Sequence, residues 1–157
     1  MKSTLTLFTI IASTLFISCN NLTLEDPTLE RIEDVDIKEM SKDRIDMDAH
    51  LVINNPNGVA LDLASADLNV LVDDIVIAHI KQTLDATMPA KAEFKLPVKI
   101  TMDLAKLYKN DPLAALGKGL QIMSDKKLEV QFKGIIKAGK GVAKLTVNVD
   151  QLEIVKF

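Results

Sequence analysis

Asp46, Asp48 and His50 stand at alternate positions of one stretch, and two carboxylates beside an imidazole are groups that can hold a metal or pass a proton. Their spacing argues against both. Alternate residues of an extended strand lie about 7 Å apart, and a metal about 2.1 Å from each donor needs further ligands folding in from elsewhere. The three residues read as a solvated strand face, with no metal site. His50 and His79 are the only two histidines and Cys19 is the only cysteine, which an apolar leader claims for another use. A Cys/His nucleophile is therefore excluded, and a Ser/His/Asp triad would be a coincidence of packing. No carboxylate pair stands out as a hydrolase site. Gly134-Ile135-Ile136-Lys137-Ala138-Gly139-Lys140 has the spacing of a phosphate-binding loop. Gly141 follows where Ser or Thr should meet magnesium, and a strand follows where a helix should begin, so the run reads as a hairpin connection. The expectation is a protein with no catalytic residues, no cofactor and no metal.

The leader decides what Cys19 is for. Met1-Lys2 is cationic, and Leu5 to Ile17 is mostly apolar with hydroxyl residues interspersed. It then ends in Leu15-Phe16-Ile17-Ser18-Cys19. This is a secretory signal with a small residue at the cut, shorter than the run of about 20 apolar residues that spans a bilayer. Leu15 to Cys19 resembles the bacterial lipobox, with Phe16 in the place more often held by Leu. That resemblance implies diacylglyceryl transfer to the Cys19 thiol, and several acyl chains anchor stably. Residues 1–18 are then a lipoprotein signal peptide, 19–28 a polar tether that should be mobile, and 29–157 a single domain. The expected address is the bacterial cell envelope, on the periplasmic side of the outer membrane. The lipid anchor makes the membrane itself a partner, and other envelope proteins or lipids could join it.

Charge is unevenly spread. Residues 19–90 carry 15 acids and 5 bases, while residues 91–157 carry 7 acids and 13 bases. The lysines of the second half are scattered over several elements, so strands of opposite charge paired within one domain explain the asymmetry better than a basic binding face. Cleavage removes Phe8 and Phe16, leaving three Phe, one Tyr and no Trp. Platforms for stacking bases or sugars are scarce, and an acidic exported domain does not suit nucleic acid.

The elements that position these residues are strands. In Arg44 to Gly58, Ile45, Met47, Ala49, Leu51 and Ile53 share one parity. Arg44, Asp46, Asp48, His50 and Asn54 share the other, with Val52 the apolar exception. That is a half-buried strand. It runs into Asn54-Asn55-Pro56-Asn57-Gly58, where Pro56 removes a donor and Asn57 and Gly58 are expected to take the left-handed region of a turn. Before it, Leu29 to Met40 is a first strand with Val35 and Ile37 in phase and Ile32 out of phase, which predicts a bulge near Glu33-Asp34. After it, Leu61 and Leu63 suggest a short strand, and Leu68, Val70 and Val72 another. Asp73-Asp74 then turns a hairpin into Ile75 to Ile80. Phe94, Leu96, Val98 and Ile100 alternate with polar residues, and Pro97 on the polar parity predicts an edge or a bulge. From Asp103 the period becomes helical, with Asp111-Pro112 as an N-cap and Leu113, Leu116 and Leu120 as a stripe. Leu128, Val130 and Phe132 return to period two, Gly134 to Gly141 supplies a turn, and Val142 to Val155 is the last strand. Seven or eight antiparallel strands with one helical insertion make a mainly β sandwich.

The run DMDAHLVINNPNGVALDLASADLNVLVDDIVIAHI, followed by MPAKAEFKLPVKITMDL, resembles the water stress and hypersensitive response (WHy) domain of the late embryogenesis abundant group 2 proteins. Asn55, Pro56 and Asn57 meet that family's turn, and Leu96-Pro97 its Leu-Pro pair. Asp73-Asp74 departs from it, since a glycine more often sits near that turn. The likeness spans roughly residues 31 to 152 and implies an immunoglobulin-like or fibronectin-like sandwich without catalytic activity. It carries no catalytic or ligand-binding position over to this chain. The function expected is a lipid-anchored, non-enzymatic envelope module for desiccation or water-stress protection or for binding. The alternative is a periplasmic carrier of lipid or another hydrophobic ligand.

Overall fold

A computed structural model describes residues 23–41, 43–108 and 124–156. Seven strands run in chain order: β1 (Thr28–Met40), β2 (Arg44–Asn55), β3 (Leu61–Val72), β4 (Ile75–Met88), β5 (Ala92–Asp103), β6 (Lys127–Lys140) and β7 (Ala143–Lys156). One helical turn, α1 (Ala105–Tyr108), follows β5, and Asp103 Oδ1 accepts the Ala105 N–H at 3.1 Å at its start. The Asp111-Pro112 cap and the stripe Leu113, Leu116 and Leu120 lie outside the described residues.

The strands form two antiparallel sheets, ordered β1-β2-β5 and β4-β3-β6-β7. The parity read from β2 becomes the inner face of the first sheet: Ile45, Met47, Ala49, Leu51 and Ile53 are buried, as are Leu96, Val98, Ile100 and Met102 of β5. Against them lie Leu68 and Val70 of β3, Ile77 of β4, Phe132 and Ile136 of β6 and Val147 of β7, all with no exposed surface. Burial of this continuous apolar layer is the main force holding the sheets face to face.

Irregularities fall where the residues demand them. Pairing of β1 with β2 shifts between Glu33 and Asp36, and Asp34 has φ of 53°. The bulge resets the phase, so Ile32 is buried while Val35 and Ile37 still pack against the core. In β3 a shift between Leu63 and Ser65 does the same: Leu61 and Leu63 precede it on odd positions, Ala66, Leu68 and Val70 follow on even ones, and all are buried. The two short strands expected here are thus one strand carrying a bulge. Pro97 sits on β5, an edge strand, where a missing N–H costs nothing in the ladder. Asp73 and Asp74 have φ of 48° and 63° between the paired Val72 and Ile75, the signs of a type I′ turn.

Two further expectations are corrected. The stretch from Gly134 to Gly141 is not a turn: β6 continues to Lys140, and only Gly141-Val142 connects it to β7. Gly134 lies inside the sheet because a Cβ there would stand 2.2 Å from the Asp67 carbonyl oxygen. The Asn-Pro-Asn turn does not place Asn57 or Gly58 in the left-handed region, since the positive-φ residues described are Asp34, Asp73, Asp74, Lys91, Lys126, Gly134 and Gly141.

One end of the sandwich gathers the start of β1, the end of β2, the start of β3, the end of β4, the start of β5 and the β6–β7 connection. The pairs Thr28 with Asn54, Leu61 with Met88, Asn55 with Ala92 and Asp62 with Gly139 establish this. The opposite end carries the Asp73-Asp74 hairpin and α1.

Candidate functional site at the Asn-Pro-Asn turn

Asn55 and Asn57 are the only buried polar side chains among the described residues, at 0% and 5% exposure. Buried amides must find partners for every donor and acceptor or cost stability. Asn55 Nδ2 donates to the Val59 carbonyl at 3.0 Å and to the Pro89 carbonyl at 2.9 Å. Its Oδ1 accepts from the Asn57 backbone N–H and from Asn57 Nδ2, both at 3.0 Å. Asn55 therefore uses all four of its bonding positions. Asn57 turns the remainder of its carboxamide on the chain that precedes the domain: Oδ1 accepts the Glu25 N–H and Nδ2 donates to the Glu25 carbonyl, both at 2.8 Å. One side chain thus reads a peptide as a neighbouring strand would. The Lys91 N–H donates to the Asn57 carbonyl at 3.0 Å, tying in the β4–β5 turn, and Lys91 Nζ bonds the Pro56 carbonyl.

Residues expected in the mobile tether are held by this knot and its surroundings. Leu24 packs on the core, Pro27 is buried, and Asp26 Oδ1 accepts the Thr146 N–H at 2.9 Å. The chain is fixed to the body from Leu24 onward. Cys19 lies outside the described residues.

The residues singled out for chemistry are dispersed. His50 is on β2 of the first sheet, its Nδ1 3.4 Å from Asp34 Oδ2. His79 is on β4 of the second, its Nδ1 2.8 Å from Asn69 Oδ1 and its Nε2 3.4 Å from Asp67. Asp46 is held by Arg44 at 2.8 Å and by the Thr101 hydroxyl at 2.6 Å, and the hydroxyl first, then the guanidinium, keeps its carboxyl below the ordinary range. Among the described residues no three His, Cys, Asp or Glu side chains converge to hold a metal.

The outer face of the first sheet explains Val52, the residue out of phase. Arg31 on β1 reaches across β2 to Glu93 on β5 with two parallel bonds of 3.1 and 2.9 Å. Lys95 on β5 reaches back to Glu33 on β1. Arg31, Val52 and Lys95 are register partners, so these long side chains cross over Val52, which has no exposed surface. Lys95 holds the Glu33 carboxyl below its ordinary range, Arg31 does the same for Glu93, and Glu33 in turn raises the Lys95 ammonium. No sequence period signals such a strap.

Residues 50–151 match the family model described as late embryogenesis abundant protein, a span that covers both asparagines and all strands from within β2 into β7. The chain belongs to the late embryogenesis abundant family. A solution structure of an Arabidopsis thaliana protein superposes with a TM-score of 0.63 at 13% identity, over 87% of this chain and 83% of that one. A crystal structure of a protein from Archaeoglobus fulgidus gives 0.55 at 9% identity, over 82% and 97%. At such identities the likeness is one of fold. No curated protein matches the sequence. Within a late embryogenesis abundant sandwich, the Asn55–Asn57 knot is an architectural site: it locks the entering chain, the turn and the neighbouring β4–β5 loop together.

Proposed function

We propose that the protein is a non-enzymatic water-stress module of the WHy type, held in a bacterial envelope by acyl chains on Cys19. It protects or binds neighbouring envelope components through its polar surface. The observation that carries this reading is the grip of Asn57 on Glu25. It leaves five residues between the lipobox cysteine and the clamped Glu25, a reach of about 20 Å when fully extended. A lipid at Cys19 would therefore hold a rigid body close to the bilayer. Family membership and the pairing of charged side chains across the outer face support a surface function over turnover.

The test is a deletion strain exposed to drying and osmotic shock. Survival should fall, and a copy with His50→Gln and His79→Gln should restore it fully because neither imidazole is part of the working surface. Loss of rescue by that folded double variant would place a functional site at a histidine. Lipid co-purifying with a chain lacking residues 1–19 would point to a carrier instead.

A further inference from the structure

Val142, at the tip of the β6–β7 connection, is 100% exposed. An aliphatic side chain held wholly in water does nothing for the fold, and its tip is shaped by the backbone, with Gly141 at φ of 60°. Lys140 and Lys144 flank it on the two strands. The Lys144 ammonium has no hydrogen-bond or ion-pair partner among the described residues, and Lys140 is 3.6 Å from Asp62. Lys91, at the same end of the sandwich, rests on a carbonyl and not on an acid. Of the acids here, Asp62 is engaged by Lys140 and the Thr87 hydroxyl, Asp26 by the Thr146 N–H, Glu93 by Arg31 and Glu30 by the Thr28 hydroxyl, and Glu25 is exposed.

The entering chain arrives at this same place. Asp26 binds β7 at Thr146, four residues from Val142, and Asn57 fixes Glu25 at the same end. Strands of 12 to 14 residues make the body roughly 40 Å long, about twice the reach of the chain between Cys19 and Glu25. Anchored at Cys19, the molecule can touch a bilayer with this end while the exposed Leu152 and Ile154, near the far end of β7, stand away from it.

We propose that the β6–β7 tip, with Val142 between Lys140 and Lys144, is a membrane-contact surface that rests on an anionic phospholipid leaflet. The inference rests on the anchor reading above. Val142 enters the headgroup layer and the ammonium groups meet lipid phosphates, so the tether and the tip together set an end-on orientation.

The test uses the full-length, lipid-carrying chain reconstituted into vesicles of phosphatidylcholine with phosphatidylglycerol. An environment-sensitive fluorophore is placed at Val142→Cys and, as the distal control, at Leu152→Cys. Both positions are exposed, so both variants should fold, and circular dichroism checks this. The label at position 142 should shift to the blue and be quenched by brominated lipid several-fold more strongly than the label at 152. The difference should shrink on phosphatidylcholine alone. Equal quenching at the two positions, in a chain that floats with the vesicles and shows acyl mass, would overturn the contact surface and leave the anchor standing. Quenching at 142 that is the same on neutral vesicles would overturn the anionic preference. A mature chain without acyl mass would overturn the anchor reading, and this proposal with it.

Discussion

Asn57 shows how one side chain can serve as a joint. Its carboxamide closes a two-bond pairing with the Glu25 peptide and completes the bonding of Asn55, so a substitution strands several buried groups at once. Asn57→Ala should cost about 3 kcal/mol, since each buried donor or acceptor left without a partner costs about 1–3 kcal/mol. A urea midpoint reads the loss. The same variant should speed amide exchange at Glu25 and expose residues 23–28 to protease, which a purely local turn defect would not do. An unchanged midpoint would show that water replaces the amide without penalty. The left-handed backbone expected of this asparagine is absent, and its carboxamide makes the joint instead. Asn-Pro-Asn signals a turn through backbone chemistry, but a side-chain partner 32 positions away is not visible in local sequence.

In β6, position 134 has no room for a side chain. Gly134 faces the β3 backbone, where a Cβ would meet the Asp67 carbonyl oxygen at 2.2 Å and Leu68 Cα at 2.8 Å. Gly134→Ala should therefore destabilise by about 3 kcal/mol or more, because backbone atoms cannot step aside as a flexible side chain can. Soluble yield and thermal midpoint would measure it. The β3–β4 hairpin offers the opposite sign. Asp74 holds φ of 63°, a region where glycine is unstrained, so Asp74→Gly should raise stability by roughly 0.5 kcal/mol. On the first sheet, the carboxyls of Glu33, Glu93 and Asp46 are held below their ordinary values, first by Lys95, Arg31 and Thr101 respectively. Groups with depressed folded values stabilise above the unfolded carboxylate range and lose that contribution as pH falls through it. Unfolding midpoints should be flat near neutrality and decline below about pH 4.5. Glu93→Gln should flatten part of that decline, and a decline identical to the parent's would remove Glu93 from the account.

For the whole molecule, the charge asymmetry between the halves resolves into contacts within the sandwich. Lys95 meets Glu33 and Asp34, and Lys140 meets Asp62, each joining a basic residue of the second half to an acid of the first. Folding brings both ends of the asymmetry onto the same surfaces, which is why no single basic face follows from the composition. The anchoring expectation is tested at this scale too: Cys19→Ala should release the protein from the membrane fraction and remove the acyl mass. Unchanged fractionation with unchanged mass would sink it.

The sequence alone determined the parity of β2, the bulge at Glu33-Asp34, the Asp73-Asp74 hairpin and the restriction of Pro97 to an edge or a bulge, and so the all-antiparallel sandwich. Each of these is a local matter of side-chain period or backbone φ, and neighbouring residues encode it. Tertiary structure alone decided that Asn57 clamps Glu25, that Arg31 and Lys95 cover Val52, that Gly134 is needed for a close strand approach, and that the entering chain and the Val142 tip share one end. Those features join residues far apart in the chain, and a one-dimensional period carries no information about which distant atoms a pairing register will bring within bonding distance.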